Sequence, residues 1–495
     1  MTPLSESDIA SLVSEVIRRM EAQSPAAPVS GSAAGRSALG AGSAGGAAPT
    51  ASGAFVFSGV DQAVQAAARS QEQFQAMGLE ARRKIIESMR RAGIGNAETL
   101  AKLAREETGL GRTQDKIQKN LLVSRKTPGV EDLRSRCYTG DQGLTLVEYA
   151  PFGVVGAVTP STNPTSTIIN NSISILSAGN AVAFAPHPAA YGCCVETMRL
   201  LNEAIVQAGG PPHLIVTLEK ITHETTRELL AHPRVRLNMV TGGPAIVKVA
   251  MTIGKNCKTI AAGPGNPPAV VDETAVFPKC ARDIITGAGF DNCVLCTAEK
   301  EVIVTQAARG RFLEAMRGDL RAYELSAAQM DQLTQKVIIE GGRGCKDPKL
   351  NREFIGKDAA VIARAIGLNV APSTTVLWAE VDAEHPMIWT EQLMPVLPVT
   401  TVADVDGAIE LAYWAEGENH HTASMHSMNV DHLTRMARRM ACSIYVKNAP
   451  TLYGLGMGEG YATMSIGTPT GDGMTKASHF VRPLHCSLVG YFRIA

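Results

Sequence analysis

The chain has 495 residues, with 47 Lys plus Arg against 47 Asp plus Glu, and is 45% hydrophobic and 19% charged. At ~150 residues per domain it has room for about three domains and a large core, while zero net charge argues against a nucleic-acid binder or a polybasic membrane adaptor. Ten irregularly spaced cysteines point to a reducing cytosol and not to a secreted disulfide framework; the longest uncharged stretch, Tyr149 to Val195, is broken by Pro151, Pro160, Pro164 and Pro186 and cannot be a membrane helix.

At the N-terminus, Ile9, Leu12, Val13, Val16, Ile17 and Met20 recur at i, i+3, i+4, i+7, i+8 and i+11, the spacing of one apolar helix stripe. Ser5 or Ser7 can cap it, Glu6 and Asp8 suit its first turn, and Arg18 and Arg19 suit its last. The acidic start and the lack of a continuous apolar run exclude a secretory signal. Residues 21–54 contain 12 Ala, 7 Gly, 6 Ser and 3 Pro in 34 positions. Such a segment has little to bury and reads as a disordered tether on the order of 30 Å long. A marginal isolated helix on a long tether is expected to dock on a partner; folding back onto its own body is the alternative.

From residue 55 the periodicity alternates. Helical patterns over Val60 to Met77, Leu79 to Ala104, Tyr191 to Ala208 and Thr222 to Ala231 separate β-rich runs at Gly153 to Val158, Ala181 to Ala185, Leu214 to Thr217 and Leu237 to Val240. This alternation predicts an α/β fold with a doubly wound, mostly parallel sheet. Leu144 to Tyr149 and Cys486 to Ile494 read as extra strands. Neither G-x-G-x-x-G after a strand nor G-x-x-x-x-G-K-[ST] occurs.

Four clusters could carry chemistry. Thr159-Pro-Ser-Thr-Asn163-Pro follows a strand, where ligands bind in open α/β sheets; an Asn amide there could stabilise an oxyanion, or Asn-Pro could be an ordinary turn. Thr241-Gly242-Gly243-Pro sits at a strand-to-helix turn, where glycines admit phosphate but are common anyway. Cys293-x-x-Cys296 lies between a Gly-rich approach and an apolar strand. A thiolate there can be a nucleophile if nearby dipoles lower its pKa, with a redox pair or half a zinc site as alternatives; no second pair at zinc spacing is present. Finally, His420, His421 and His426 cluster within seven residues, at a spacing that one helix face cannot gather.

These clusters, in this order, resemble the aldehyde dehydrogenase superfamily, specifically its coenzyme-A-acylating branch. The matching segments are Pro151 to Pro164, Ser177-Ala-Gly-Asn180, Phe184-Ala-Pro-His187-Pro188, Val240-Thr-Gly-Gly243, Ala262-Gly-Pro-Gly-Asn-Pro-Pro268, Phe290-Asp-Asn-Cys-Val-Leu-Cys296, Thr390-Glu391-Gln-Leu-Met-Pro and His421-Thr-Ala-Ser-Met-His-Ser427. Within the branch the chain looks most like the propionaldehyde dehydrogenases of bacterial microcompartments, which also carry a tethered N-terminal helix.

The resemblance implies two Rossmann-like domains with a small β oligomerisation element: residues 1–20 as targeting helix, 21–54 as linker, 55–263 as NAD-binding domain (134–150 belonging to the oligomerisation element), 264–465 as catalytic domain and 466–495 as C-terminal oligomerisation segment. It implies Cys296 as nucleophile, and Asn163 with the Cys296 backbone N–H as oxyanion donors. Thr159, Pro160, Ser161, His187, Pro188, Gly242 and Glu391 would contact the NAD cofactor, and His421 would contact coenzyme A or nicotinamide. No metal is implied.

Where hydrolytic relatives place a water-activating Glu, this chain has Ala262. Water, with a pKa of about 15.7, needs that base, whereas a thiol near ~8.5 supplies thiolate unaided. The expected reaction is therefore reversible ping-pong transfer of an acyl group from Cys296 to coenzyme A, with propionaldehyde or acetaldehyde as substrate. A homodimer or homotetramer, docked by residues 1–20 to a shell or cargo protein in the microcompartment lumen, is the implied setting. A shell-binding protein with a decayed site is the competing reading, and the presence of Cys296, Asn163 and Glu391 argues against it.

Overall fold

The computed structural model describes residues 55–253, 257–345 and 347–493. The expected targeting helix and linker, residues 1–54, lie outside the described residues.

The first sheet has six parallel strands in the order Val56–Phe57, Ile215–Leu218, Ala181–Pro186, Val154–Thr159, Val235–Thr241, Lys258–Ala262. Val154–Thr159 and Ala181–Pro186 are buried along their whole length, which is why their sequence reads as an apolar run without alternation. Chain order reverses beside Val154–Thr159. The next two strands lie on one side and the last two on the other, so the carboxyl end of this strand is a topological switch point. The helix that follows, Pro164–Ser177, is buried on every side and begins with a proline preorganised for its first turn.

The second sheet has seven parallel strands in the order Ala322–Glu324, Val376–Glu380, Val396–Val402, Glu301–Thr305, Pro268–Val271, Thr422–His426, Ile444–Lys447. A third, antiparallel sheet joins Arg136–Gly140, Gly143–Pro151 and the C-terminal Val481–Val489. It presents Tyr138, Leu484, Leu488 and Val489 to the surface.

The β-rich runs and helices lie within a few residues of their expected bounds, with two differences. Leu79 to Ala104 is two helices, Leu79–Gly95 and Ala97–Thr108. The first stops at Asn96, whose backbone N–H and side-chain amide both donate to the Ala92 carbonyl, at 3.1 and 2.9 Å. The C-terminal strand begins at Val481, five residues before Cys486, because residues on its exposed side carry no apolar alternation to read.

The largest apolar core belongs to the first sheet, and it also takes in Phe290, Cys293, Leu295 and Ala298, which precede a strand of the second. Asn180 ties the C-terminal segment to the same body. Its Oδ1 accepts from the Phe152 and Gly153 N–H groups at 2.7 and 3.0 Å, and its Nδ2 donates to the Phe480 carbonyl at 2.9 Å.

Candidate active site

The singled-out residues fall at two kinds of position: Thr159, His187 and Gly242 close or follow strands of the first sheet at their carboxyl ends, and Cys296, Glu391 and His421 precede strands of the second at their amino ends. Thr159 closes its strand, and its buried hydroxyl has no hydrogen-bond partner among the described residues. Pro160 and Ser161 are half-buried beside it. His187 donates its backbone N–H to the Thr159 carbonyl at 3.0 Å, and its exposed ring takes the Ala189 N–H at 3.1 Å; burial and the nearby Arg352 lower its pKa. Pro188 is exposed next to it. Gly242 bonds to the Ala262 carbonyl at 3.1 Å, just before the Pro244–Met251 helix. An unpaired hydroxyl at a switch point beside a glycine turn and a helix N-terminus fits a dinucleotide.

Asn163 occupies the N-cap position of the Pro164–Ser177 helix, yet its side chain does not cap it. Its Oδ1 instead accepts from Lys119 Nζ at 2.7 Å. Lys119, wholly buried, also ion-pairs with Asp291, which Lys116 reaches at 3.1 Å. Burial lowers the Lys119 pKa to about 8, against the pull of Asp291.

The cysteine loop leaves the Lys279–Gly289 helix through Asp291, Asn292 and Cys293, all left-handed with φ of 48°, 53° and 60°. Such backbone is strained for these residues and is held by named bonds. Asp291 Oδ1 takes the Arg112 N–H at 2.6 Å, and Asn292 Nδ2 donates to Gly356 O and Asp358 Oδ1 at 3.0 and 2.8 Å. Gly111, with φ of +70°, makes room for Asp291, since a Cβ there would lie 2.0 Å from its Oδ1. Cys293 is buried, its Sγ facing Lys300 Nζ at 3.3 Å and the Glu299 carbonyl at 3.5 Å. Cys296 is half-buried. Neither is disulfide-bonded, and among the described residues no three His, Cys, Asp or Glu side chains gather to hold a metal.

Burial pushes the Cys296 thiol up to about 12, and Glu391 adds to the rise; Lys300 and Lys119 pull it down. No helix begins at Cys296, whose chain runs on into the strand Glu301–Thr305, so no helix N-terminus acts on the thiol. Glu391 is half-buried, itself pushed up to about 7 by desolvation, and receives the Gly265 N–H. Gly265 threads between two reactive groups. A Cβ on it would lie 2.8 Å from the His421 ring and 2.9 Å from the Cys296 carbonyl.

The three histidines separate. His421 is buried beside the site, its Nδ1 on Thr422 Oγ1 at 2.9 Å and its Nε2 without a partner among the described residues; burial lowers its pKa to about 4, so it is a neutral base. His420 is exposed and bonded to the Met440 carbonyl at 2.9 Å, and His426 is buried four residues along the next strand's far end.

Sequence reasoning passed over Lys119, Asp291, Lys300 and the buried Glu299 and Glu301. Asp291 stood inside the quoted Phe290-Asp-Asn-Cys segment. Lys116 and Lys119, three apart on one helix, look like any solvated face.

Comparison with known proteins matches this architecture. Residues 57–472 match the aldehyde dehydrogenase family, and the chain belongs to it. It is 48% identical to the acetaldehyde dehydrogenase (acetylating) EutE of Salmonella typhimurium, over 89% of this chain and 93% of that one. It is similar to the Rhodopseudomonas palustris propionaldehyde dehydrogenase solved with bound CoA and an acylated cysteine (43% identity, TM-score 0.84, 88% of this chain and 98% of that one). It is also similar to a propionaldehyde dehydrogenase from the Clostridium phytofermentans fucose utilisation bacterial microcompartment (40% identity, TM-score 0.85, 89% and 100% covered).

Proposed function

We propose that the chain is a CoA-acylating aldehyde dehydrogenase that oxidises a short-chain aldehyde, propionaldehyde before acetaldehyde, to its acyl-CoA with NAD⁺ as hydride acceptor. What supports this reading is that Gly265 lies against both the Cys296 carbonyl and the His421 ring and donates to Glu391, while Ala262 stands where the resemblance places the water-activating Glu of hydrolytic relatives.

In this reading Cys296 attacks the aldehyde carbonyl, and the developing oxyanion takes bonds from Asn163 Nδ2 and the Cys296 N–H. Thr159, Pro160, Ser161, His187, Pro188, Gly242 and Glu391 hold the dinucleotide, with Glu391 on the nicotinamide ribose. When bound, NAD⁺ would supply the hydride acceptor that lets the adduct become a thioester. Coenzyme A then enters as its thiolate, with His421 in contact with it. The CoA thiolate displaces Cys296 and the acyl-CoA leaves.

Residues 55–263 serve as NAD-binding domain and 264–465 as catalytic domain, with 134–150 and 466–495 joining copies into a dimer or tetramer. The apolar side chains exposed on the three-stranded sheet support that last role. Residues 1–20 direct the enzyme through the 21–54 linker to a shell or cargo protein in a bacterial microcompartment lumen. The amphipathic pattern of the sequence and the microcompartment relative support this. NADH absorbance with propionaldehyde and NAD⁺, with and without coenzyme A, tests the reading: turnover should require coenzyme A. Multiple turnover to the carboxylate without it would overturn it.

A further inference from the structure

Asparagine is a poor oxyanion donor unless something sets which end of its amide faces the substrate, because its oxygen and nitrogen ends are nearly isosteric. We propose that Lys119 is a positioning residue for the oxyanion site: its ammonium fixes Asn163 with Oδ1 turned away and Nδ2 presented to the reacting carbonyl, and its charge polarises that amide into a stronger donor. This rests on the reading of Asn163 as oxyanion donor.

The partners of Asn163 decide the orientation. Its Nδ2 lies 3.2 Å from Thr162 Oγ1, a hydroxyl that can donate or accept and so distinguishes nothing. An ammonium only donates. Lys119 Nζ, 2.7 Å from Oδ1, would meet two amide hydrogens if the group flipped, and the oxygen would then face the developing negative charge. The usual alternative duty of an N-cap asparagine, accepting from its own helix, is unused here.

Lys119 is in turn fixed by Asp291, and Asp291 by Lys116 and the Arg112 N–H, so the restraint runs from one helix through the cysteine loop. The Lys119 charge also pulls the Cys296 pKa down.

The test is a double-mutant cycle on the full chain, read as the single-turnover rate of NADH formation. Asn163→Ala should cost about 10²–10³-fold. Lys119→Met should cost about 10–100-fold in kcat with the aldehyde KM within about threefold, and the combined variant should be within about threefold of Asn163→Ala alone, as residues acting as one unit behave. Lys119→Gln, which keeps a donor without the charge, should be faster than Lys119→Met. It also serves as the second arm of the cycle if Met at this buried position prevents folding. Independent, multiplying losses would overturn the inference and leave Asn163 in place. A loss below threefold for Asn163→Ala would instead remove the oxyanion reading and the inference together. The pH profile of Cys296 alkylation should move to higher pH in Lys119→Met, which a purely structural lysine would not cause.

Discussion

Lys300 donates from Nζ to the carbonyl of Leu295 at 2.9 Å, closing a hoop of chain around Cys296. The same ammonium takes the Cys293 carbonyl at 2.7 Å. A buried cation without a hydrogen-bonded carboxylate among the described residues is costly, and here its donors are used on the Cys293 and Leu295 carbonyls, both just ahead of Cys296 in the chain. Cys293 is thereby part of the support and Cys296 the group supported.

Cys296→Ala should abolish acyl-CoA formation, and Cys293→Ala should keep most of it while lowering stability by about 1 kcal/mol. Product assays on both variants check this. Equal loss in the two would mean that the sulfurs act as a pair.

Glu391 raises the Cys296 pKa by repulsion between its carboxylate and the thiolate. Removing that charge stabilises the thiolate, so the thiol pKa falls. Glu391→Gln should therefore alkylate faster with iodoacetamide at neutral pH in the absence of cofactor, while its KM for NAD⁺ rises through the lost ribose contact. In the wild type, Glu391 gains a proton as pH drops through about 7, so the repulsion is strongest above that value. Slower alkylation of the variant would refute this sign.

Ala262 ends its strand 3% exposed, with its carbonyl bonded to Gly242. Ala262→Glu should raise hydrolysis of the acyl-enzyme relative to transfer, measured as carboxylate against acyl-CoA in a variant whose melting shows it folded. Unchanged partition would place the water-activating position elsewhere.

Residues 1–20 are tested by charge placement. Val13→Asp, in the centre of the apolar stripe, should abolish co-purification with a shell and leave soluble activity intact, whereas Ser11→Asp on the polar face should do little. Burying the stripe gains ~25 cal/mol per Å². If the two variants behave alike, the stripe is not the recognition surface.

The parallel sheets were legible because their strands are continuous apolar runs between helical periods, as Val154–Thr159 and Ala181–Pro186 show. Of the candidate site, what was legible is position: Thr159 at the end of its strand and Asn163 in the turn before the next helix. Lys119 was not, because a charge three residues from another on a helix looks the same whether it faces water or Asp291. The raised pKa of Cys296 was hidden for a related reason: it depends on burial and on Glu391, 95 residues away, and no local pattern encodes either.

The residues around Cys293 belong by chain to the second sheet but pack in the core of the first. The nucleophile's loop is thereby seated on the body that carries Thr159 and Asn163, while its chain runs on into the other sheet. The segment between Cys296 and Glu301 is buried throughout, tied back by Lys300 to the Leu295 carbonyl and by the Thr451 N–H to Glu299, so it couples the two sheets as a stay and does not give between them.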